Sequence, residues 1–173
     1  MHAAELLPWP RFVLRSVTCP AGVSALALQA LGMNGVPVRG VGGEYAALPE
    51  AVFLDDHTSL LAFGQSGLDG SICIDSDSLE IVHVPELDRS GVNLVNSNLA
   101  AFSACVKIVI SRFPYYSYET AEENGDEVAS FLRGKLLEID DFVGVHNGLW
   151  GTFLDDVAMG NYAIEEFDRM VVE

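Results

Sequence analysis

The sequence predicts one α+β domain in which an antiparallel or mixed central sheet is packed by helices. Three observations carry that prediction. Short runs with strand character recur about every ten residues between Thr58 and Val95, separated by Gly and Asp turns. After Asn96 the period changes: Leu99, Phe102, Val106, Val109 and Phe113 step by 3, 4, 3 and 4, the spacing of one buried helical stripe. The chain has 173 residues, 50% of them apolar, enough for a proper core. A chain of this size buries about 70% of the surface it exposes when unfolded. We read residues 1–173 as a single domain, with a core over about 18–162, an N-terminal arm and a short C-terminal tail.

The elements follow in order. Residues 1–17 read as an irregular or partly extended arm, with Pro8 and Pro10 flanking Trp9. Pro20 suits a first helical turn, and Val23, Leu26, Ala27 and Ala30/Leu31 recur at helical spacing before the stop at Gly32. Residues 32–50 hold Gly35, Pro37, Gly40, Gly42, Gly43 and Pro49, which predicts loop and turn. Strands are predicted at Thr58–Phe63, Ser71–Ile74 and Glu80–Val84, with a fourth at Val92–Val95. Gly67-Leu-Asp-Gly70 and Asp75-Ser-Asp77-Ser supply turn chemistry between them. Asn96-Ser97 is placed to cap the next helix. A further helix over Glu119–Ile139 shows Val128, Leu132, Leu136 and Ile139 on one face, with acids at its positive end and with Gly125 and Gly134 to weaken or divide it. A last helix over Leu149–Met159 buries Trp150, Phe153, Leu154 and Val157.

Charge restricts function. Nine basic residues against 25 acidic ones give −16. Met1–Arg112 holds 6 basic and 11 acidic residues, and Phe113–Glu173 holds 3 and 14. Nucleic acid and anionic membrane surfaces are held through Lys and Arg, so neither is an expected partner. A basic protein is the natural complement. Cys19, Cys73 and Cys105 are odd in number and widely spaced among apolar neighbours, which fits buried thiols in a reducing compartment. No basic leader with a long apolar run opens the chain, and the most apolar helix, Leu99–Phe113, is interrupted by Lys107 and Arg112. A cytoplasmic protein is expected.

No catalytic constellation emerges, so neither enzyme activity nor a cofactor is expected. Gly64-Gln-Ser66-Gly67 is one residue short of the strained nucleophile elbow and precedes a strand instead of a helix. His2, His57, His83 and His146 share no short ligand spacing. Asp55-Asp56-His57 and Asp75-x-Asp77 read as strand-end turns before they read as metal ligands. Gly40-Val-Gly42-Gly43 has neither the Lys nor the following helix cap of a phosphate cradle. The expected partner surface is instead the acidic start of the second long helix, Glu119, Glu122, Glu123, Asp126 and Glu127, with Asp140, Asp141 and the Tyr115/Tyr116 pair.

The order of motifs resembles a known family. Leu31-Gly-Met-Asn-Gly-Val-Pro37 is followed by Leu60-Leu-Ala-Phe-Gly64, Ser71-Ile-Cys-Ile-Asp75 and Asn93-Leu-Val-Asn96-Ser97-Asn-Leu99-Ala-Ala-Phe102. Leu136-Leu-Glu-Ile-Asp140 and Leu149-Trp150…Phe153-Leu…Gly160 then close the series. This resembles the SUKH superfamily of immunity proteins, above all its branch numbered four. The match runs in order over roughly Gly22–Gly160. It departs in a short Gly67–Gly70 turn and an expanded Gly40–Gly43. The resemblance implies a non-enzymatic immunity protein that binds a polymorphic toxin domain, such as a nuclease or deaminase, and occludes its active site. The alternative reading is an acidic secretion chaperone that wraps an effector segment.

Overall fold

The computed structural model describes residues 10–67, 70–145 and 148–164. Pro8 and Trp9 of the arm, Leu68 and Asp69 of the Gly67–Gly70 turn, His2, His146 and the tail beyond residue 164 lie outside the described residues. Within them the fold is α+β. A five-stranded antiparallel sheet runs in the order β3-β4-β5-β6-β7. Its strands are β3 (Ala46–Leu54), β4 (His57–Ser66), β5 (Gly70–Asp75), β6 (Ile81–Pro85) and β7 (Asn93–Asn96). A two-stranded ribbon pairs β1 (Leu14–Arg15) with β2 (Val36–Pro37). The helices are α1 (Ala25–Leu28), α2 (Leu99–Arg112), α3 (Ala121–Ile139) and α4 (Leu149–Ala158).

Three expectations about these elements are corrected. The first helix starts only at Ala25, leaving Pro20 outside it. Gly22 takes a φ of +90°, which no helix continues through, and Ser24 caps the helix by accepting from the Ala27 amide at 3.2 Å. The helix then widens into a π turn over Gln29–Asn34. Ala27 and Leu31 are buried, while Leu26 points outward. The Gly/Pro-rich stretch over 32–50 is not all loop, since it supplies β2 and the start of β3. Pro49 is tolerated because β3 is an edge strand, and its register with β4 is irregular between Ala47 and Val52. Finally, the cap of α2 is Asn98, whose Oδ1 accepts from the Ala101 amide at 2.9 Å.

Alternation along the strands gives the sheet two buried faces. Leu61, Phe63, Ile72, Ile74, Ile81 and Val95 join the helices in the main core. Leu54, Leu60, Ala62, Cys73, Val82 and Val84 form a second cluster. Phe63, Ile72, Ile74 and Phe102 form a fully enclosed layer between sheet and helices, and Phe63 meets Phe102 edge-on at 5.9 Å. Leu99, Phe102, Val106 and Val109 are buried along α2, as their spacing predicts. The α3 stripe is rotated from the predicted one. Ala121, Gly125, Ala129, Leu132 and Leu136 are buried, while Ile139 is exposed. The helix is continuous through Gly125 and Gly134.

One polar network is buried where four elements meet. The Asp140 carboxylate accepts from the Asn96 side-chain amide at 2.9 Å, the Ser97 backbone amide at 2.7 Å and the Phe142 amide at 3.1 Å. Asn96 Oδ1 in turn accepts from the Trp150 indole N–H at 2.9 Å. Three separate words of the motif series, Asn96-Ser97, Ile139-Asp140 and Leu149-Trp150, thus meet at one point. Burial would raise the Asp140 pKa, yet the hydrogen bonds from Ser97, Asn96 and Phe142 outweigh it and hold it below the ordinary carboxylate value.

The thiols differ in access. Burial pushes Cys73 and Cys105 up to about 12, whereas Cys19 is only half-buried, with burial raising it as well. A thiol reagent added to the native protein at pH 8 will label Cys19 alone, and all three cysteines after denaturation. Mass spectrometry of the labelled protein checks this.

Candidate functional site

The start of α3 is fixed from the chain before it. Ser117 and Thr120 hydrogen-bond reciprocally, each backbone amide donating to the other's hydroxyl oxygen at 3.2 Å. This local box sets the direction in which α3 leaves. Helical spacing then places Glu123 and Glu127 opposite Ala121, Gly125 and Ala129, with Glu122 and Asp126 on the adjoining flank, and all four acids are exposed. Glu119, just before the helix, is exposed too. The five acids predicted to act together therefore share one solvent-facing row.

Their energetics are uneven. Glu122 and Glu123 occupy the first turn, where no side chain caps the helix and negative charge is stabilised by about 0.3–1 kcal/mol. Asp126 and Glu127 lie one turn further on, where that benefit has faded. Two like charges are held there without compensation from the helix.

The row borders a shallow groove of about 380 Å³ between the end of α2 and α3, lined by Arg112, Pro114, Asn124, Glu127, Val128 and Phe131 among others. Phe131 is 44% exposed. The Arg112 guanidinium lies 5.0 Å from its ring centroid and the Lys135 ammonium 5.9 Å. Phe131 was not singled out from the sequence. Its signal was available, since it falls just outside the buried stripe through Leu132 and Leu136.

Three of the predicted site residues, Tyr116, Asp140 and Asp141, do not join this surface, whereas Tyr115, though only 7% exposed, contributes to the lining of the groove. Tyr115 and Tyr116 are buried. The Tyr115 hydroxyl donates to the Val109 carbonyl at 2.8 Å, and that of Tyr116 to the Val157 carbonyl. Tyr118 is the exposed member of the cluster, at 67%. Asp140 is 7% exposed and belongs to the buried network. Asp141 is exposed but stands beyond the far end of α3, whose 19 residues span roughly 28 Å.

The remaining polar motifs have local duties. Asp56 pairs with Arg89 at 3.1 Å, and His57 Nε2 contacts the Arg89 carbonyl at 2.5 Å, so Asp55-Asp56-His57 ties down the β6–β7 connection. Asp75 Oδ1 accepts from the amides of Asp77 and Ser78, closing a turn. Ser66 is the last residue of β4. Among the described residues no group of three or more His, Cys, Asp or Glu side chains is placed to hold a metal ion, and no helix is long and apolar enough to cross a membrane. Comparison of the chain with protein-family models, curated proteins and solved structures gives no match.

Proposed function

We propose that this chain is a cytoplasmic, non-enzymatic immunity protein that binds a basic toxin domain through the acidic face of α3 and so occludes the toxin's active site. The observation that carries the reading is the exposed row Glu119, Glu122, Glu123, Asp126 and Glu127, of which Asp126 and Glu127 gain nothing from the helix end. Like charges gathered on one face are relieved by a cationic partner. The neighbouring Phe131 and Tyr118 supply aromatic anchors of the kind that concentrate binding energy. The order of the SUKH-like motifs agrees with this role. Toxins that act on nucleic acid present cationic grooves, and an acidic helix face can fill such a groove and exclude substrate. A secretion chaperone would instead take up an extended segment, and the groove beside α3, at about 380 Å³, has the volume of only a few residues.

The test is a partner encoded beside this gene, expressed as its small basic terminal domain. The E122K/E123K/D126K/E127K variant is expected to bind that domain about a hundredfold more weakly and to fail to rescue growth, while keeping the wild-type circular dichroism. Raising salt from about 50 to 500 mM should weaken wild-type binding and barely affect the variant. Equal binding by the variant and the wild type would refute the assignment to this face.

A further inference from the structure

A second site lies away from α3, at the end of the sheet where β3 begins and β4 ends. There a cleft of about 310 Å³ opens beneath α4, within the size range of small-molecule sites. Glu44, Ser66, His83, Asn93, Asp156 and Tyr162 bring polar groups to it, and the Tyr162 ring, packed edge-on against the buried Phe153 with centroids 5.1 Å apart, gives it an aromatic side. Glycines keep it open: Gly43, Gly67 and Gly148 all line it. A Cβ on Gly42 would meet the Tyr162 ring at 3.1 Å, and one on Gly70 would meet His83 Nε2 at 2.9 Å.

The Gly40–Gly43 segment, set aside as a phosphate cradle, explains how one carboxylate is fixed here. Its Val41 and Gly42 amides donate to Glu44 at 2.5 and 2.8 Å, so the chain's own anion occupies the loop. Tyr162 completes the arrangement by donating its hydroxyl to the same carboxylate at 3.1 Å. Burial above all, and then the charges of Glu44 and Asp156, hold that hydroxyl well above its ordinary pKa, so it stays a donor. Asp156, half-buried on α4, is held by a bond from the Asn161 side-chain amide at 2.8 Å.

Charge decides what fits. No Lys or Arg lines the cleft among the described residues. The start of α4 reaches it through Gly148 and Leu149, but a helix end amounts to only about half a positive charge. Two carboxylates outweigh it. An anion is therefore repelled, and a purely apolar ligand would strip water from Glu44, Asn93 and Asp156 without replacing it. A cation gains both carboxylates, and the Tyr162 ring adds to its attraction.

We infer that this cleft is a binding site for an organic cation with a guanidinium or alkylammonium head. The inference goes beyond the partner surface on α3 and does not depend on it. The head group sits between Glu44 and Asp156 against the Tyr162 ring, and an aliphatic stem runs toward the exposed Thr152. Such a head can come from a free small amine or from an arginine on another protein.

Titration of the full chain with agmatine and with Nα-acetylarginine amide, followed by amide chemical shifts, tests this. Saturable shifts confined to Gly43, Ser66, Thr152, Asp156 and Tyr162 are expected, with Kd at or below about 1 mM. The Asp156→Asn variant should bind at least about tenfold more weakly. Thr152→Trp, which fills the cleft from an exposed position, should abolish the shifts without unfolding the protein. The α3 lysine variant should titrate like the wild type, which separates this site from diffuse acidic attraction. Tighter binding of the acetylated arginine would indicate a protein arginine as source, and tighter binding of agmatine a free amine. Equal binding of the neutral citrulline analogue, shifts centred on α3, or no saturation by about 20 mM would overturn the inference.

Discussion

Replacing Asp140 by alanine will lower the unfolding free energy by about 3 kcal/mol, the scale of removing a buried charged acceptor from several donors at once. For a chain of this length that is a fall in Tm of roughly 6–12 °C. The effect is large because three donors lose one acceptor, and two of them, the Asn96 side chain and the Ser97 amide, fix the passage from β7 into α2. Asn96 also holds Trp150, so the loss reaches the start of α4. Asn96→Ala should cost about 2 kcal/mol by leaving the buried indole N–H without an acceptor. The double variant should cost less than the two singles together, because they disrupt one network. Acid should report the same group. An unfolded Asp titrates near about 3.9, and Asp140 titrates lower when folded. Its contribution is therefore present above that unfolded value and is lost as pH falls through the folded one. The stability gap between wild type and Asp140→Asn should accordingly narrow below about pH 3.9. Urea melts at neutral and acid pH measure both quantities. An Asp140→Ala variant within about 0.5 kcal/mol of wild type would show that the network does not hold the elements together.

This network also marks where the sequence stops being legible. The period of α2 and the alternation of β4, β5 and β6 could be read directly, because each element buries a face whose spacing is its own property. The edge strand β3 could not. Its Pro49 and the glycines before it are loop signals, and only the irregular register with β4 makes them compatible with a strand. Residues whose setting depends on packing between elements were also out of reach. Tyr115, Tyr116 and Tyr118 are alike in a four-residue stretch, and nothing local tells which two turn inward onto α2 and α4. Asp140 looked like one more surface acid because the two partners that bury it in the network, Asn96 and Ser97, lie over forty residues away in the chain. The acidic row on α3 was legible for the opposite reason, being set by helical spacing alone. The cleft beneath α4 was not legible. It assembles from the loop before β3 and from β4, β6, β7 and α4, which share no motif.

Two glycines in α3 should respond to the same substitution with opposite signs. An ideal Cβ on Gly125 would lie 2.3 Å from the Ala158 carbonyl oxygen and 3.1 Å from its carbon, closer than atoms can approach. The end of α4 cannot retreat freely, because the neighbouring Val157 carbonyl accepts the Tyr116 hydroxyl and the Val157 side chain is fully buried. Gly125→Ala must therefore push two helices apart. Overpacking of this kind costs about 1–3 kcal/mol or more, and the better helix propensity of Ala returns only about 1. A net loss of about 2 kcal/mol is expected, roughly 4–8 °C in Tm. At Gly134 a Cβ would meet nothing within 4 Å, and the residue is exposed, so propensity acts alone. Gly134→Ala should stabilise by about 0.5–1 kcal/mol. Thermal melts of the two variants decide the signs, and a stabilising Gly125→Ala would mean that α3 and α4 do not cross this closely. The pair also bears on function. Ala121, Gly125 and Ala129 form the side of α3 that seats against the fold, and the acidic row occupies the opposite side and the adjoining flank. A displaced α3 carries that row with it. If the proposed basic partner binds this face, Gly125→Ala should weaken that binding under conditions where the variant is still folded, although it alters no surface charge, whereas Gly134→Ala should leave the affinity unchanged.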